Sequence, residues 1–172
     1  VILLETARLI LVPQALAVVQ KRLETDDFTL EIVAVGFVHF SPEFPGEAFV
    51  MYPGMRDHLE RGGALSPGGF VVERATREAV GEIGCKGEPV DFVADIGYGF
   101  NRGVWGRGLA TEMVTAFSDH LLEGREVHAV TADTAVSNPA SARVLEKSGF
   151  AQVGTGYDPD DGDLIHWRKT HG

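Results

Sequence analysis

The sequence predicts a mixed α/β fold, a mixed β-sheet with helices on its faces. Three observations predict it. Short apolar runs of strand length recur along the chain, at residues 8–12, 69–73, 80–86, 92–100 and 127–132. Between them lie segments with apolar residues at helical spacing, such as Leu109, Ala110, Met113, Val114, Phe117 and Leu121. The succession strand, helix, strand over residues 92–132 favours a parallel neighbour within a sheet otherwise made of hairpins.

The elements follow in order. Residues 8–12 read as a strand stopped by Pro13, and 15–23 as a helix with Ala15, Leu16, Val19 and Leu23 on one face. Residues 25–63 are the least legible part. Phe28, Leu30 and Ile32 alternate, as do Val38 and Phe40, which predicts extended pieces broken by Pro42, Pro45 and Pro53. A short helix is expected over 55–61, ended by Gly62 and Gly63. Residues 69–73 and 80–86 form an antiparallel hairpin, and the strand 92–100 follows a turn at 87–89. The next helix runs to about Glu123 with Gly124 as its cap, and 127–132 is again a strand. Asn138 caps a helix with Pro139 in its first position, and Gly149 ends it. A strand from Phe150 to about Gly154 and another over 164–169, after the turn at Asp160, Asp161 and Gly162, complete the sheet.

Bulk properties narrow the function. The 172 residues suit one domain with a substantial core. Fifteen basic against twenty-five acidic residues give a formal net charge of −10, which argues against a nucleic-acid binder. The charge is compatible with a cationic substrate, but solubility alone accounts for it. The single cysteine, Cys85, suits a reducing compartment such as the cytoplasm and reads as a small core residue. No apolar run has the length of a membrane span, and residues 1–4 are too short for a signal peptide. No Cys/His or carboxylate spacing points to a metal.

The centre of the chain carries the chemistry. Ile96-Gly97-Tyr98-Gly99-Phe100 leads through a turn to Trp105-Gly106-Arg107-Gly108-Leu109-Ala110-Thr111-Glu112 at a helix start. Unpaired N–H groups and the positive end of the helix dipole make such a start a phosphate or pyrophosphate site. A close-packed strand-to-helix turn would use the same glycines. The stretch is neither a P-loop, since Leu109 and Ala110 follow Gly108 where Lys and Ser/Thr belong, nor a Rossmann fingerprint, since Thr111 stands at its third glycine.

On these residues the chain resembles the GNAT superfamily of acyl-CoA-dependent N-acyltransferases, and within it the RimJ/RimL-like ribosomal-protein N-acetyltransferases. Thr6 to Leu11 is similar to the opening strand, Asp95 to Tyr98 to the central strand, Trp105 to Glu112 to the pyrophosphate loop, and Asn138 to Phe150 to the second cofactor motif. The resemblance implies a single domain over 1–172, with a twisted, mostly antiparallel sheet, a central parallel strand pair and helices on both faces. It implies acetyl-CoA as cosubstrate and an amine acceptor, either a protein N-terminus or a small molecule, attacked directly in a ternary complex. It also implies a homodimer, and no nucleic-acid or membrane partner.

The resemblance assigns residues as well. Gly106, Arg107, Gly108, Leu109 and Ala110 would hold the pyrophosphate, with Val104 and Trp105 flanking them. Gly99, Phe100, Asn138 and Ser141 would line the pantetheine arm, and Arg107 and Arg143 would reach phosphates. A backbone N–H near Tyr98 to Phe100 would polarise the thioester carbonyl, and Ser141 would donate to the thiol sulfur. Asp95 is the first candidate for the base, with Asp91 and Glu82 as alternatives; a carboxylate at a strand end also makes plain structural contacts. Gly97 and Gly99 mark either a bulge, a close cofactor approach or simple packing. Tyr157 is expected as a half-buried strand residue, and His128 as structural. Two departures stand out: Trp105 occupies the place of a usual Gln or Arg, and Leu145 that of a common acid Tyr. They give some weight to the competing class, a non-catalytic acyl-CoA-binding protein with a degenerate centre and a regulatory or assembly role.

Overall fold

The computed structural model describes residues 1–172. The chain forms two units, Val1–Gly84 with Tyr98–Leu109, and Cys85–Gly97 with Ala110–Gly172.

In the first unit β1 (Leu4–Glu5) pairs antiparallel with β2 (Leu9–Pro13), β2 with β5 (Gly68–Glu73), and β5 with β6 (Glu78–Cys85, its first seven residues in this unit). The alternating residues of the least legible stretch become a hairpin, β3 (Phe28–Ile32) with β4 (Gly36–Phe40), joined to β6 by one parallel bridge between His39 and Glu78. Its turn needs left-handed backbone, with Ala34 at φ 68 and Gly36 at φ 99. Helix α1 (Leu16–Glu24) carries Lys21 and Arg22 in its last turn, where cations suit the dipole. Buried Arg22 donates to the carbonyls of Pro42 (2.9 Å) and Asp26.

Helix α2 (Tyr52–Glu60) begins three residues before the expected start at 55. Pro53 falls in its first turn, where no intrahelical N–H is lost, so the proline opens the helix instead of breaking the segment. One core cluster joins Ile10, Val12, Val18, Val38, Phe40, Tyr52, Phe70 and Val72. Phe40 is its centre: it stacks on Phe28 at 4.8 Å and meets Phe44 and Phe70 edge-on at 5.2 and 5.4 Å. Each such ring contributes about 1.5–3 kcal/mol by burial.

In the second unit the first residues of β7 (Val93–Phe100) run parallel to β8 (Ala129–Ala135), with Val93 opposite Ala129 and Asp95 opposite Thr131. Strand β10 (Gly162–Thr170) pairs antiparallel with β8 and with β9 (Ala151–Asp158). Helix α3 (Leu109–Glu123) buries Met113, Val114, Phe117, Leu121 and Leu122. Lys169 of β10 binds Asp119 (2.7 Å) and Ser118 Oγ (2.9 Å) on it. Helix α4 (Pro139–Lys147) starts as the sequence predicts: Asn138 Oδ1 accepts from the Ser141 N–H at 3.2 Å, and Pro139 follows. It ends at Gly149, whose φ of 90 admits a glycine readily.

Strand β9 extends four residues beyond the predicted end at Gly154. The Asp158 carboxylate accepts from the N–H groups of Asp160 (2.8 Å) and Asp161 (3.1 Å), a local turn that lets β9 and β10 pair to their ends. On this extension Tyr157 is 72% exposed, not half-buried. His128 stacks on Phe92 at 4.6 Å, a structural role. No helix is long and apolar enough to cross a membrane, and no group of three His, Cys, Asp or Glu side chains gathers to hold a metal.

Candidate active site

The end of β7 and the loop after it lie together in the first unit. Asn101 pins the strand end to β6: its N–H donates to the Val80 carbonyl (2.8 Å) and its Nδ2 to the Ala79 carbonyl (3.1 Å). A 3-10 turn, Arg102–Val104, follows, with the Gly103 N–H on Glu43 Oε2 at 3.2 Å. Trp105 folds back so that its indole N–H donates to the Phe100 carbonyl at 2.8 Å, with Arg102 over the ring at 5.6 Å.

The loop then needs its glycines for conformation. Gly106 has φ 79 and Gly108 φ 77. A Cβ at Gly106 would meet nothing within 4 Å, and one at Gly108 only Arg8 Nη2 at 3.5 Å. The space in front of the loop is therefore open, as a cradle for an anion requires, and Leu109, buried behind it, begins α3.

Two arginines flank this loop. Arg8 Nη1 donates to the Arg107 carbonyl at 2.8 Å. The Arg107 guanidinium is held by both oxygens of Glu73, which is buried at the end of β5. The Arg107 hydrogen bond, more than any other cause, holds the Glu73 carboxyl below its ordinary range despite burial. The arginine that the sequence points to as a phosphate ligand thus has a carboxylate partner already. Arg8, whose Nη2 a Cβ at Gly108 would meet at 3.5 Å, sits in the stretch read as an opening strand, and no motif marks it as a neighbour of the loop.

A close backbone approach exists, but at Gly81 of β6. A Cβ there would lie 2.5 Å from the Gly99 carbonyl and 2.9 Å from the Phe100 ring. Gly99 itself faces open space. On β6, Glu82 accepts from Tyr52 Oη and from Gln14 Nε2 (2.8 Å), and Gln14 Nε2 also lies 3.0 Å from Tyr52 Oη. Burial pushes the Glu82 carboxyl up to about 7, against the lowering effect of the two hydrogen bonds. Tyr52 is fully buried, and its hydroxyl is pushed well up, first by burial and then by the Glu82 charge. Tyr52 and Gln14 lie in or beside stretches without a motif, so nothing in the sequence marks them as partners of Glu82.

The structure brings Tyr98, Gly99, Phe100, Val104, Trp105, Gly106, Arg107, Gly108 and Leu109 into the first unit, and Asp95, Ala110, Asn138, Ser141 and Arg143 into the second. There Asp95 Oδ1 accepts from Thr131 Oγ1 at 3.0 Å, and Oδ2 lies 4.0 Å from Lys86 Nζ. The Ser141 N–H is used in the α4 cap, Arg143 is exposed, and Leu145 is fully buried. The Cys85 thiol is pushed up to about 11, mainly by burial and further by Glu88 and Asp95.

Comparison with known proteins follows the same lines. A GNAT-family acetyltransferase from Bacillus anthracis superposes with a TM-score of 0.69 at 16% identity, covering 99% of this chain and 98% of that one. RimL, the ribosomal L7/L12 alpha-N-protein acetyltransferase in complex with coenzyme A, gives 0.69 at 18% identity over 99% and 98% of the two chains. The aminoglycoside acetyltransferase AAC(6')-Ib in complex with acetyl-CoA and an aminoglycoside gives 0.50 at 26% identity, over 58% and 63%. No curated protein matches in sequence. Residues 31–151 match the family described as the acetyltransferase (GNAT) domain, and by that match, with the fold to support it, the chain belongs to the GNAT acetyltransferase family.

Proposed function

We propose that the protein is an acetyl-CoA-dependent N-acetyltransferase that passes its acetyl group to a primary amine by direct attack in a ternary complex. The observation that carries this is the loop at Gly106 and Gly108, held at positive φ at the start of α3, with open space before it, inside the family match. Related proteins crystallised with coenzyme A or acetyl-CoA support it.

The pyrophosphate rests on the N–H groups of residues 106–110, with Arg8 and Arg107 beside it and Val104 and Trp105 at its flank. Asn138 and Arg143 serve the pantetheine arm and a phosphate. A backbone N–H between Tyr98 and Phe100 polarises the thioester carbonyl, a donor of the kind worth about 3–4 kcal/mol to an oxyanion. Ser141 donates to the departing sulfur. A thiolate is a good leaving group, so a strong acid in the place of Leu145 is not required. A covalent relay through Cys85 is disfavoured, because its raised thiol is not ionised at neutral pH. Asp95, which accepts from Thr131 Oγ1 and lies near Lys86, is a candidate for the base, with Asp91 and Glu82 as alternatives.

The acceptor is the α-amino group of a protein, as in the RimL-like branch, or a small-molecule amine. The one-cysteine composition suits the cytoplasm, and a homodimer is the expected state. The test is thiol release from acetyl-CoA against a panel of small amines and of peptides with varied N-termini, with calorimetric CoA binding alongside. Turnover with any acceptor supports the reading. Leu145, fully buried at the position where the resemblance implies an acid Tyr, gives weight to a second one, an acyl-CoA-binding protein without turnover; CoA binding with no transfer would select it.

A further inference from the structure

The first unit holds a second carboxylate to weigh beside Asp95, Glu82 on β6. The bond from the Asn101 N–H to the Val80 carbonyl sets the register of β6 against the end of β7. Counting on from it, Glu82 stands opposite Gly99, and opposed residues of an antiparallel pair share a face at about 5 Å. Gly99 brings no side chain to that face, and a Cβ there would meet nothing within 4 Å. Glu82 therefore lies beside the bare stretch of backbone whose N–H groups are proposed to polarise the thioester.

Its two hydrogen bonds, from Tyr52 on α2 and from Gln14 after β2, both fall on Oε1. Oε2 takes neither of them. The carboxylate is thus fixed through one oxygen, and the other is left for a further proton or donor. Gln14, the hydrogen-bond partner of Glu82, also lines a groove of about 300 Å³ with Pro13, Leu59, Leu65 and Pro67.

We propose that Glu82 is the carboxylate that receives the acceptor's ammonium and takes its proton, and that Tyr52 and Gln14 are the residues that position it. The assignment rests on the acetyl-transfer reading above. An alkylammonium surrenders one proton to Glu82 Oε2. The neutral nitrogen attacks the thioester carbon, forming the C–N bond. The C–S bond then breaks with its electron pair on sulfur. The second proton from nitrogen goes to the thiolate, and Glu82 returns the first to solvent. A buried carboxyl with raised proton affinity suits this task better than an ordinary one, because it is protonated and deprotonated near neutrality. The charged group acting on the cluster from α1 is Arg22, whose field reaches Tyr52. A guanidinium or quaternary ammonium cannot enter this sequence, so the acceptor is a primary alkylamine or an α-amino group.

The experiment is the pH profile of kcat/KM for thiol release, on the full chain with an amine from the panel, for wild type, E82Q, E82D, Y52F and D95N. Calorimetric CoA binding monitors the folded cofactor site in each. Wild type is expected to lose activity below neutrality, and E82Q to fall by about 10²–10³-fold and lose that acid limb. E82D should recover part of the rate with the limb present. Y52F, which removes a bond that lowers the Glu82 proton affinity, should shift the limb to higher pH, an effect that a merely structural tyrosine would not have. D95N should keep the limb where it is. Transfer by E82Q at the wild-type rate, or loss of the limb in D95N alone, overturns the assignment while leaving the acetyl-transfer reading intact. CoA binding without turnover on any amine brings down that reading and this assignment with it.

Discussion

Replacing Glu82 by glutamine removes a group whose proton uptake is coupled to folding, and the size of the coupling follows from its surroundings. The carboxyl moves from an ordinary 4.5 to about 7 on folding, mainly by burial. At about 1.4 kcal/mol for each tenfold change in proton affinity, that is about 3 kcal/mol. The folded state holds the proton more tightly, so the contribution is fully present below pH 4.5 and is lost as pH rises through about 7. Glutamine has no such dependence. Its amide oxygen can still accept from Tyr52 and Gln14, so where Glu82 is itself protonated the change exchanges one neutral hydrogen-bonding group for another and costs at most about 1 kcal/mol. The gap in Tm between E82Q and wild type should therefore widen in favour of E82Q from pH 4.5 to pH 8. At about 2–4 °C per kcal/mol for a chain of this size, the change is about 6–12 °C. Thermal unfolding followed by circular dichroism at half-unit intervals of pH measures it, and no substrate is needed. A gap that stays constant across that range would refute the burial argument and remove the reason for a proton affinity matched to neutral pH.

Three further outcomes are expected. Gly108→Val places a β-branched residue at φ 77, at a folding cost of about 1–2 kcal/mol, and projects into the anion cradle; CoA affinity by calorimetry should fall at least about tenfold. Unchanged affinity would take the loop out of the cofactor site. Glu73→Gln removes the partner of Arg107 and should lower stability at pH 7 by about 1–2 kcal/mol, modest because that arginine is itself half exposed. Because the Glu73 carboxyl is held below its ordinary 4.5, this difference should vanish as pH falls below that value, as acid titration of both proteins would show. His39, bonded to Asp27 (3.0 Å) and Glu78 (3.1 Å), has its pKa raised, first by Asp27 and then by Glu78. Its contribution is present below pH 6.5 and lost as pH rises through the raised value, so H39Q should flatten that part of the stability curve by less than about 1 kcal/mol.

The legible parts of the sequence are those where local chemistry decides the outcome. Asn138, Pro139 and Gly149 fix both ends of α4 by capping, a proline-tolerant first turn and a left-handed exit, none of which depends on distant residues. The loop at Gly106 and Gly108 is local in the same sense. The 25–63 region resists because its order is tertiary. Alternation at Phe28, Leu30 and Ile32 predicts an extended piece but not its partner, and only the stacking of Phe28 on Phe40 shows how the hairpin closes. Pro53 reads as a breaker until Tyr52, anchored in the core by burial and by Glu82, turns it into the opening of α2. The candidate site divides likewise. Its glycines are written in the motif, whereas the engagement of Arg107 by Glu73, the approach of Arg8 and the fixing of Glu82 by Gln14 and Tyr52 join residues 30 to 99 positions apart.

Trp105 and Trp167 are the two tryptophans of the sequence, and each unit contains one. Trp105 is 59% exposed beside the glycine loop, with its indole bonded to the Phe100 carbonyl, while Trp167 is 1% exposed and donates to Thr134 Oγ1. The protein therefore carries two intrinsic fluorophores with opposite surroundings. Trp105 emits from a polar setting that iodide can reach, so occupation of the loop registers as a blue shift and a loss of quenching. Trp167 emits from an apolar interior and changes only when its sheet comes apart. Loop occupation and the unfolding of the second unit can thus be followed in one cuvette, with W105F and W167F assigning each signal to its source.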